Sequence, residues 1–207
     1  MLYTYLTSVY KNGEPIFLTD ITIDGMAEEN LRYHLKRLTD QGHIRRFDAG
    51  VYYLPKKNLL GEEIALSAET VAIHKYIKRQ GRHIGYYSGF TLANRMGLSG
   101  QVPFKEEIVS NNAPAQIREV AIGNRKYVIR RPVTQITEEN VYVLQFLDCL
   151  KDMNKISELE PRDCGSILSR YAREHNITKE LVDRYISYYP LKVYKAIYDT
   201  EVQYASA

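Results

Sequence analysis

Apolar residues recur at helical spacing within the first 41 residues. At the start of the chain they share one face of residues 1–11, which predicts a short helix. A second short helix is expected at Phe17–Ile21, followed by a longer helix over Ala27–Gln41 with a narrow apolar stripe. Gly42 follows at the position where helices commonly end through a left-handed residue. The apolar positions of the first and third helices are Leu2, Tyr5, Leu6, Val9, Leu31, Leu35 and Leu38.

From His43 to Leu54 the pattern changes to that of a β-hairpin. Its loop, Asp48-Ala49-Gly50, places glycine where a positive φ is expected. The order helix, short helix, longer helix, hairpin is that of a winged helix-turn-helix. A proline, two lysines, an asparagine and a glycine then interrupt the pattern, so a domain boundary is expected at about residue 58.

The next part of the chain mixes helix and strand patterns. A helix over residues 67–80 is predicted between a capping Ser67 and Gly81, and another is predicted over Ser88–Met96. A strand is expected at Glu107–Ser110, followed by a hairpin. The hairpin strands are Ile117–Ile122 and Arg125–Arg130, joined by Gly123-Asn124.

The last third of the chain is predicted to be helical, because its apolar residues follow a period of about 3.6. Three helix caps and one proline in the first turn of the final helix are expected at Thr137, Asp163, Thr178 and Pro190. The predicted fold class is therefore α+β. Residues 1–58 form a winged helix-turn-helix, and residues 59–207 form an α/β domain with a small antiparallel sheet and C-terminal helices.

The net charge of +3 over 207 residues conceals an uneven distribution. Residues 31–57 contain seven basic and two acidic residues, and residues 61–135 contain eleven and six, so each segment carries +5. Residues 136–207 contain nine basic and twelve acidic residues and carry −3. Local excesses of this kind are typical of surfaces that contact phosphate, which the small total does not reveal.

The first basic segment coincides with the longer helix and the hairpin of the predicted winged helix. The helix face opposite the leucines combines basic, amide and tyrosine side chains that can contact phosphates or base edges. Arg45 and Arg46 of the hairpin point to opposite sides, so one of them can reach DNA. The alternative is an ordinary solvated surface. The predicted DNA-binding residues are Asn30, Tyr33, His34, Lys36, Arg37, Arg45, Arg46 and Lys56.

The second basic segment is concentrated on the later hairpin and is either an interaction surface or a charged sheet edge. Glu106, Glu107 and Glu119 lie close to it, which raises the alternative of a metal-dependent nuclease. No aspartate occurs between Asp48 and Asp148, so the commonest carboxylate ligand is missing there. The basic residues concentrated on the later hairpin are Arg118, Arg125, Lys126, Arg130 and Arg131.

Other candidate chemistry carries less weight. Ser88 lies in a G-x-x-S-G run, whereas a nucleophile elbow needs G-x-S-x-G, so we expect this serine to cap a helix. His74, His83 and His175 are not paired at the spacing that places two metal ligands on one helix face. We therefore expect no catalytic residue, no metal and no cofactor.

The cysteine count and the absence of targeting signals favour a cytoplasmic protein. Cys149 and Cys164 are too few for a cysteine-rich metal site or a secreted disulfide framework. The N-terminus lacks the basic region and apolar core of a signal peptide. No stretch approaches the ~18 consecutive apolar residues of a membrane span, so no membrane contact is expected.

Two runs of residues resemble a known family. The run from Arg37 to Pro55, RLTDQGHIRRFDAGVYYLP, resembles the helix-to-wing segment of AbiEi-type antitoxins of bacterial abortive-infection, type IV toxin–antitoxin systems. The later residues GYYSGF (85–90), LAN (92–94) and GL through QVP (97–103) are similar to the start of that family's second domain. The resemblance covers both domains up to about residue 131 of this sequence.

The resemblance implies a transcriptional regulator whose winged helix binds inverted repeats upstream of its own operon. It also implies that the second domain antagonises a cognate nucleotidyltransferase toxin, generally without a stable complex. The recognition helix would be Ala27–Gln41 and the wing Ile44–Leu54. Glu28, Glu29 and Asp48 depart from a DNA-binding pattern because their carboxylates repel phosphate. Affinity would then depend on pairing two sites, filled by monomers that bind cooperatively.

The function predicted from these observations is that of a DNA-binding autorepressor and antitoxin in phage defence, not an enzyme. The first alternative is a winged-helix interaction module whose second domain senses a ligand or binds a protein, with no antitoxin role. The second alternative is a nuclease in the second domain. Each would need a different surface, so the placement of the named residues distinguishes them.

Overall fold

The computed structural model describes residues 1–206 as a mixed α+β protein with eight α-helices and several small sheets. The chain forms two compact units: residues 1–74 with 122–124 make the first, and the rest of the described chain makes the second. The helices are α1 (Leu2–Val9), α2 (Glu28–Asp40), α3 (Ala68–Ala72), α4 (Gly89–Met96), α5 (Val141–Ile156), α6 (Pro161–Glu174), α7 (Lys179–Tyr185) and α8 (Lys192–Thr200). The strands are β1 (Pro15–Phe17), β2 (Arg45–Asp48), β3 (Val51–Tyr53), β4 (Lys56–Lys57), β5 (Glu63–Ile64), β6 (Lys78–Arg79), β7 (Arg82–His83), β8 (Gly85–Ser88), β9 (Glu106–Ser110), β10 (Ile117–Ile122) and β11 (Arg125–Arg130).

The first unit is built around a three-stranded antiparallel sheet with the strand order β1-β3-β2. Leu6 of α1, Ile16 of β1 and Leu35 of α2 are fully buried in one apolar core. Burying a side chain of this size stabilises a fold by about 1.5–3 kcal/mol. The apolar stripes of the two helices and the inner side of the sheet therefore hold this unit together.

Most element predictions for the first unit are confirmed. α1, α2 and the hairpin β2–β3 lie where the sequence pattern places them. The short helix expected at Phe17–Ile21 is only a 3-10 turn, Leu18–Asp20, because β1 takes up the preceding residues. Val9 is exposed although the pattern points it inward, because α1 ends at that residue.

The two units divide after His74, later than the boundary expected at about residue 58. The linker-like residues form a small hairpin instead, in which β4 pairs with β5 antiparallel. Glu63 of β5 accepts a hydrogen bond from Arg45 at 2.8 Å, and His74 lies 3.8 Å from the Glu14 carboxylate. These contacts hold residues 59–74 to the first unit, which composition alone does not indicate.

The helix expected over residues 67–80 is shorter than predicted. Ser67 caps α3 as expected, since its hydroxyl accepts a hydrogen bond from the Thr70 amide at 3.0 Å. The helix is followed by a π-helical turn, Ile73–Ile77, and then by the hairpin β6–β7. Gln80 and Gly81 both have positive φ, the backbone that a two-residue hairpin turn requires.

The second unit contains a four-stranded sheet with the order β10-β11-β9-β8. β8 pairs with β9 antiparallel, whereas β9 and β11 are parallel. The sheet is therefore mixed, which corrects the prediction of an antiparallel sheet. The predicted β10–β11 hairpin is present. In the sheet, β11 lies between β10 and β9. The hydrophobic pattern of β11 does not specify whether β9 runs parallel or antiparallel to it.

The four predicted C-terminal helices are present and supply most of the second core. α5 is buried on nearly all sides, with Leu144, Phe146 and Leu147 fully buried. Leu168 of α6 and Val193 of α8 belong to the same core. A helix that is apolar around its circumference occupies the interior of a fold, so α5 is the central element of this unit.

Of the predicted helix caps in the last third, only Thr178 caps a helix, accepting a hydrogen bond from the Leu181 amide at 3.3 Å. α5 begins later than expected, because Thr137 instead donates its amide to the Asn140 side chain at 2.7 Å. α6 begins at a proline, which places Asp163 inside its first turn. Pro190 precedes the cap of α8 and so lies outside that helix.

Both cysteines are buried free thiols. Burial raises the pKa of the Cys149 thiol to about 12, so the group stays protonated and unreactive. Cys164 lies 3.1 Å from the Ser157 hydroxyl oxygen, in a polar contact inside the helical layer. In the described part of the chain, no helix is long and apolar enough to cross a membrane.

Candidate nucleic-acid interface

Helix α2 has one polar face that is accessible to solvent. Asn30, Lys36 and Arg37 are exposed, and Tyr33 keeps 64% of its surface accessible. The leucine stripe is buried on the opposite face. This division fixes the direction of the side chains, so the four polar residues project away from the core as the sequence predicts.

Two cations on this face are available to an external partner. Within residues 1–206, neither Lys36 nor Arg37 makes an ion pair, whereas Arg32 on the flank donates to the Glu28 carboxylate at 2.6 Å. Arg37 lies in the last turn of α2. Exposed cations that form no ion pair within the chain can bind phosphate directly, so these two are the strongest candidates for DNA contacts.

The remaining residues around this face modify its character. His34 is half-buried and lies edge-on to the Tyr33 ring, with 5.6 Å between the ring centroids. Glu29 and Asp40 are exposed on the same side as the two cations. Their carboxylates weaken the local positive potential, so any approach of DNA would depend on direct contacts more than on long-range attraction.

The two arginines of β2 have different environments. Arg45 donates to the Gly42 carbonyl at 2.7 Å and to the Glu63 carboxylate at 2.8 Å. Arg46 is exposed, and its Nε donates to the Asp48 carbonyl at 3.3 Å. Because adjacent strand residues face opposite sides, Arg45 holds the hairpin to the end of α2 and Arg46 is the arginine that projects outward.

The hairpin β4–β5 adds one predicted and two unpredicted residues. The aliphatic part of the Lys56 side chain packs against Gly13. A Cβ added to Gly13 would lie 3.0 Å from the Cδ of Lys56. Lys56 nevertheless remains exposed to solvent. Leu59 and Leu60 are exposed at the tip of the hairpin. Sequence reasoning missed this tip, although two leucines before Gly61 within a charged stretch are a recognisable signal.

The second basic segment is largely neutralised by ion pairs. Arg125 donates to the Glu106 carboxylate at 3.0 Å. Lys126 and Lys105 both pair with Glu119, the former at 3.4 Å. Among the five basic residues of the later hairpin, only Arg118 and Arg131 make no ion pair in the described chain. The charge sum of the sequence therefore overstates the positive potential of this hairpin.

Arg130 belongs to a buried polar network instead of the surface. Its Nη2 donates to the Ser88 hydroxyl at 2.7 Å and lies 3.8 Å from the Glu107 carboxylate. Asp148, only 4% exposed, accepts from the Tyr86 hydroxyl at 3.1 Å and from the Ser88 hydroxyl at 3.5 Å. Lys151 pairs with the same carboxylate at 2.5 Å.

This network changes the interpretation of the serine motif. Ser88 precedes α4 at the cap position, as predicted, but its side chain makes no capping hydrogen bond. The hydroxyl bridges Arg130 and Asp148 instead. Ser88 is fully buried, so no substrate can reach its oxygen and its role is structural.

The acidic and histidine side chains weighed as metal ligands are dispersed. Within residues 1–206, no group of three histidine, cysteine, aspartate or glutamate residues could hold a metal ion. Glu106 and Glu119 lie against basic side chains instead. His83 contacts the Glu138 carboxylate at 2.7 Å, and His175 stacks on Tyr142 with 3.9 Å between the ring centroids.

Comparison with known proteins adds one match. The model of a protein family described as a family of unknown function (DUF6088) covers residues 6–175. The matched segment includes α2, both hairpins of the first unit and the basic hairpin of the second. No match was found among curated proteins.

Proposed function

The chain belongs to the DUF6088 family, and we propose that it is a DNA-binding autorepressor and antitoxin. In this proposal its first 58 residues act as a winged helix-turn-helix, with α2 as the recognition helix and β2–β3 as the wing. The single observation that carries the proposal is the exposed, unneutralised pair Lys36 and Arg37 on the outer face of α2.

The order and pairing of elements support the winged-helix part of the proposal. A helix, a short strand and a 3-10 turn precede α2, and a two-stranded hairpin follows it in the same small sheet. Winged-helix proteins place the second main helix in the major groove and use the hairpin against the backbone or the minor groove. Arg46 projects from that hairpin and is the wing residue suited to phosphate.

The side chains on α2 fit a division between backbone and base contacts. Lys36 is a point charge suited to phosphate, whereas the guanidinium of Arg37 can pair with a guanine edge through two donors. Asn30 can pair with adenine in the same way, and Tyr33 can donate to a phosphate. Asn30, Tyr33 and Arg37 lie within two turns of α2, so they would read neighbouring base pairs.

The antitoxin part rests on the resemblance to AbiEi-type proteins. In that scheme the protein fills inverted repeats upstream of its own operon as cooperatively bound monomers. Its second unit antagonises a nucleotidyltransferase toxin without a stable complex. The proposed antitoxin surface is the basic hairpin of the second unit, with Arg118, Arg125, Lys126, Arg130 and Arg131. Arg118 and Arg131 are its two residues that no ion pair neutralises in the described chain.

DNA binding is tested by titrating the full chain against duplex DNA from upstream of its own operon, at several salt concentrations. We expect Arg37→Ala to weaken binding to that DNA about tenfold, the loss of one bidentate base contact. Lys36→Ala and Arg46→Ala should weaken binding to all sequences and lower the salt slope by about 1 each. Fluorescence anisotropy measures both quantities.

A matched control removes an ion pair from the same helix. Glu28→Gln/Arg32→Gln leaves the net charge of α2 unchanged and touches neither candidate cation, so its affinity should equal that of the parent chain. Binding without sequence preference, or affinities that are equal in all the variants, would refute the DNA-binding proposal.

The antitoxin role needs a separate experiment in cells. The genes beside its own are searched for a nucleotidyltransferase, the chain is co-expressed with that enzyme, and growth is followed. Rescue of growth by the Arg37→Ala variant as well as by the parent chain is expected, because the second unit carries the antitoxin activity in this proposal. Growth arrest in the presence of the parent chain would contradict it, whatever the DNA titration shows.

A further inference from the structure

We propose that the second unit binds a small molecule consisting of a planar aromatic ring with an attached anionic group. The site is a cavity of about 320 Å³ bounded by β8, α4, α5 and α6. Volumes of about 300 Å³ and above are typical of small-molecule sites. The cavity lies outside the candidate DNA-binding residues, so the inference goes beyond the proposed function.

The polar floor of the cavity is held in one orientation. Gln145 of α5 is buried, and its Nε2 donates to the Tyr87 carbonyl at 2.8 Å. Its Oε1 accepts from the Tyr171 hydroxyl at 2.5 Å. Two hydrogen bonds fix the plane of the Gln145 amide. A ligand would therefore meet this amide in one orientation, and binding would not have to order the side chain.

One wall of the cavity is aromatic and rigid. The His175 ring lies 4.3 Å from the Tyr171 ring and stacks on Tyr142 at 3.9 Å, measured between centroids. Burial lowers the pKa of His175, so its ring is uncharged at neutral pH. An uncharged aromatic wall favours a flat ring over an aliphatic chain, because stacked rings gain about 0.5–1.5 kcal/mol beyond the area they bury.

Two arginines line the mouth of the cavity. The guanidinium of Arg95 lies 3.9 Å from the centre of the Tyr87 ring and 3.8 Å from Glu106. Arg170 on α6 is exposed and lies 4.0 Å from Glu174, the limit of an ion pair. Arg95 is already held by the Tyr87 ring and by Glu106, whereas the exposed Arg170 can turn toward an anion.

These three features define the chemistry of the ligand. The aromatic side chains of Tyr171 and His175 favour a ring, Arg170 can bind an anion, and Leu92, Met96 and Ile167 supply the apolar part of the lining. Two sources share this chemistry, namely a nucleotide and an aromatic carboxylate. Both join a planar aromatic ring to an anionic group, which a guanidinium can bind through charge-assisted hydrogen bonds.

The test is calorimetric titration of the full chain with adenosine monophosphate and, separately, with 1-naphthoate. Adenosine and inorganic phosphate supply the ring and the anion of the first probe alone, and naphthalene and acetate supply those of the second. We expect one of the two complete probes to bind at least about tenfold more tightly than either of its fragments, because the aromatic lining and Arg170 act together. The probe that binds identifies the source.

Arg170→Ala should weaken this binding about fivefold to tenfold, the loss of one exposed charge-assisted contact. Arg173→Ala removes the same charge from the same helix but lies outside the cavity lining, so it should bind like the parent chain. Circular dichroism verifies that both variants are folded. Equal losses in the two variants, or no probe bound more tightly than its fragments, would overturn the proposal, and neither result depends on DNA binding.

Discussion

At the scale of single residues, two pairs of adjacent arginines show what a sequence can and cannot specify. In Arg45-Arg46 and Arg130-Arg131 the alternation of a strand predicts that one member faces inward. It does not specify which one. Partners that are distant in the sequence decide which arginine it is, because Arg45 donates to the Glu63 carboxylate and Arg130 donates to the Ser88 hydroxyl.

The same limit applies to charge that is counted along the chain. Lys36 and Arg37 were predicted to be exposed from helical periodicity, and they are. The charge count along the chain predicts Arg125 as a surface cation available to a partner. In the fold its guanidinium donates to the carboxylate of Glu106, which is distant in the sequence. Periodicity predicts exposure, whereas ion pairs between strands require the sheet order.

His175 should make the free energy of unfolding depend on pH. Burial against two tyrosine rings lowers its pKa below 6.5, and Glu174 offsets this only in part. The unfolded chain therefore binds the proton more readily, so this contribution to stability is complete above about pH 6.5 and is lost as the pH falls. Urea denaturation at about pH 7.5 and about pH 5.5 measures the loss.

The His175→Phe variant keeps an aromatic ring in the stack and cannot be protonated, so the loss of stability between the two pH values should be smaller. His43→Phe is the control because His43 is exposed. His74, whose pKa is also lowered by burial, is present in both variants and cancels in the comparison. Identical losses in parent and His175→Phe would contradict the assignment.

At the scale of elements, the sequence predicts where α4 ends but not which residue of another strand packs against its start. Gly97 closes α4 with a left-handed φ of 81°, the position where glycine commonly ends a helix. Gly89 opens the helix with a positive φ of 54° and lies directly beneath the Glu107 carboxylate. That close approach brings together residues from β9 and α4, which no local pattern reveals.

Two glycine substitutions should separate the cost of backbone conformation from the cost of the close approach. A Cβ at Gly97 meets nothing within 4 Å, so Gly97→Ala should lower the free energy of unfolding by only about 1–2 kcal/mol, the cost of the left-handed conformation. A Cβ at Gly85 would lie 2.0 Å from the Tyr76 carbonyl oxygen and 2.5 Å from the Val109 carbonyl oxygen, backbone atoms that cannot turn away, so Gly85→Ala should cost about 1–3 kcal/mol more. Denaturant unfolding of both variants tests the difference, and equal costs would count against it.

Elements defined by local chemistry were predictable, and pairings between them were not. The hairpin β10–β11 follows from Gly123-Asn124, and α2 follows from its leucine stripe. The hydrophobic pattern of neither strand indicates that β9 and β11 pair in parallel. The helix expected over residues 67–80 fails for a related reason, since the turn at Gln80-Gly81 forms a hairpin and ends the helical pattern early.

At the scale of the whole molecule, the two units have separate apolar cores. The core that contains Leu35 is drawn from α1, α2 and the small sheet, whereas the core that contains Leu144 is drawn from the C-terminal helices and the mixed sheet. The net charge of +3 likewise adds together the charges of two units whose basic residues have different environments. Cations remain exposed on α2, while most of those on the β10–β11 hairpin are paired within the second unit.

Separate cores predict that damage to one unit spares the other. Both Leu35 and Leu144 are fully buried, so replacing either by alanine should cost its own unit about 2–5 kcal/mol. Hydrogen exchange of the full chain would locate the loss, because amide protection falls where the local free energy of opening falls. Leu35→Ala should lower protection in residues 1–74 alone, and Leu144→Ala should lower it in the second unit alone. Equal loss in both units from either variant would mean that the chain unfolds as one cooperative body, and the two functions proposed for it could not then be separated by mutation.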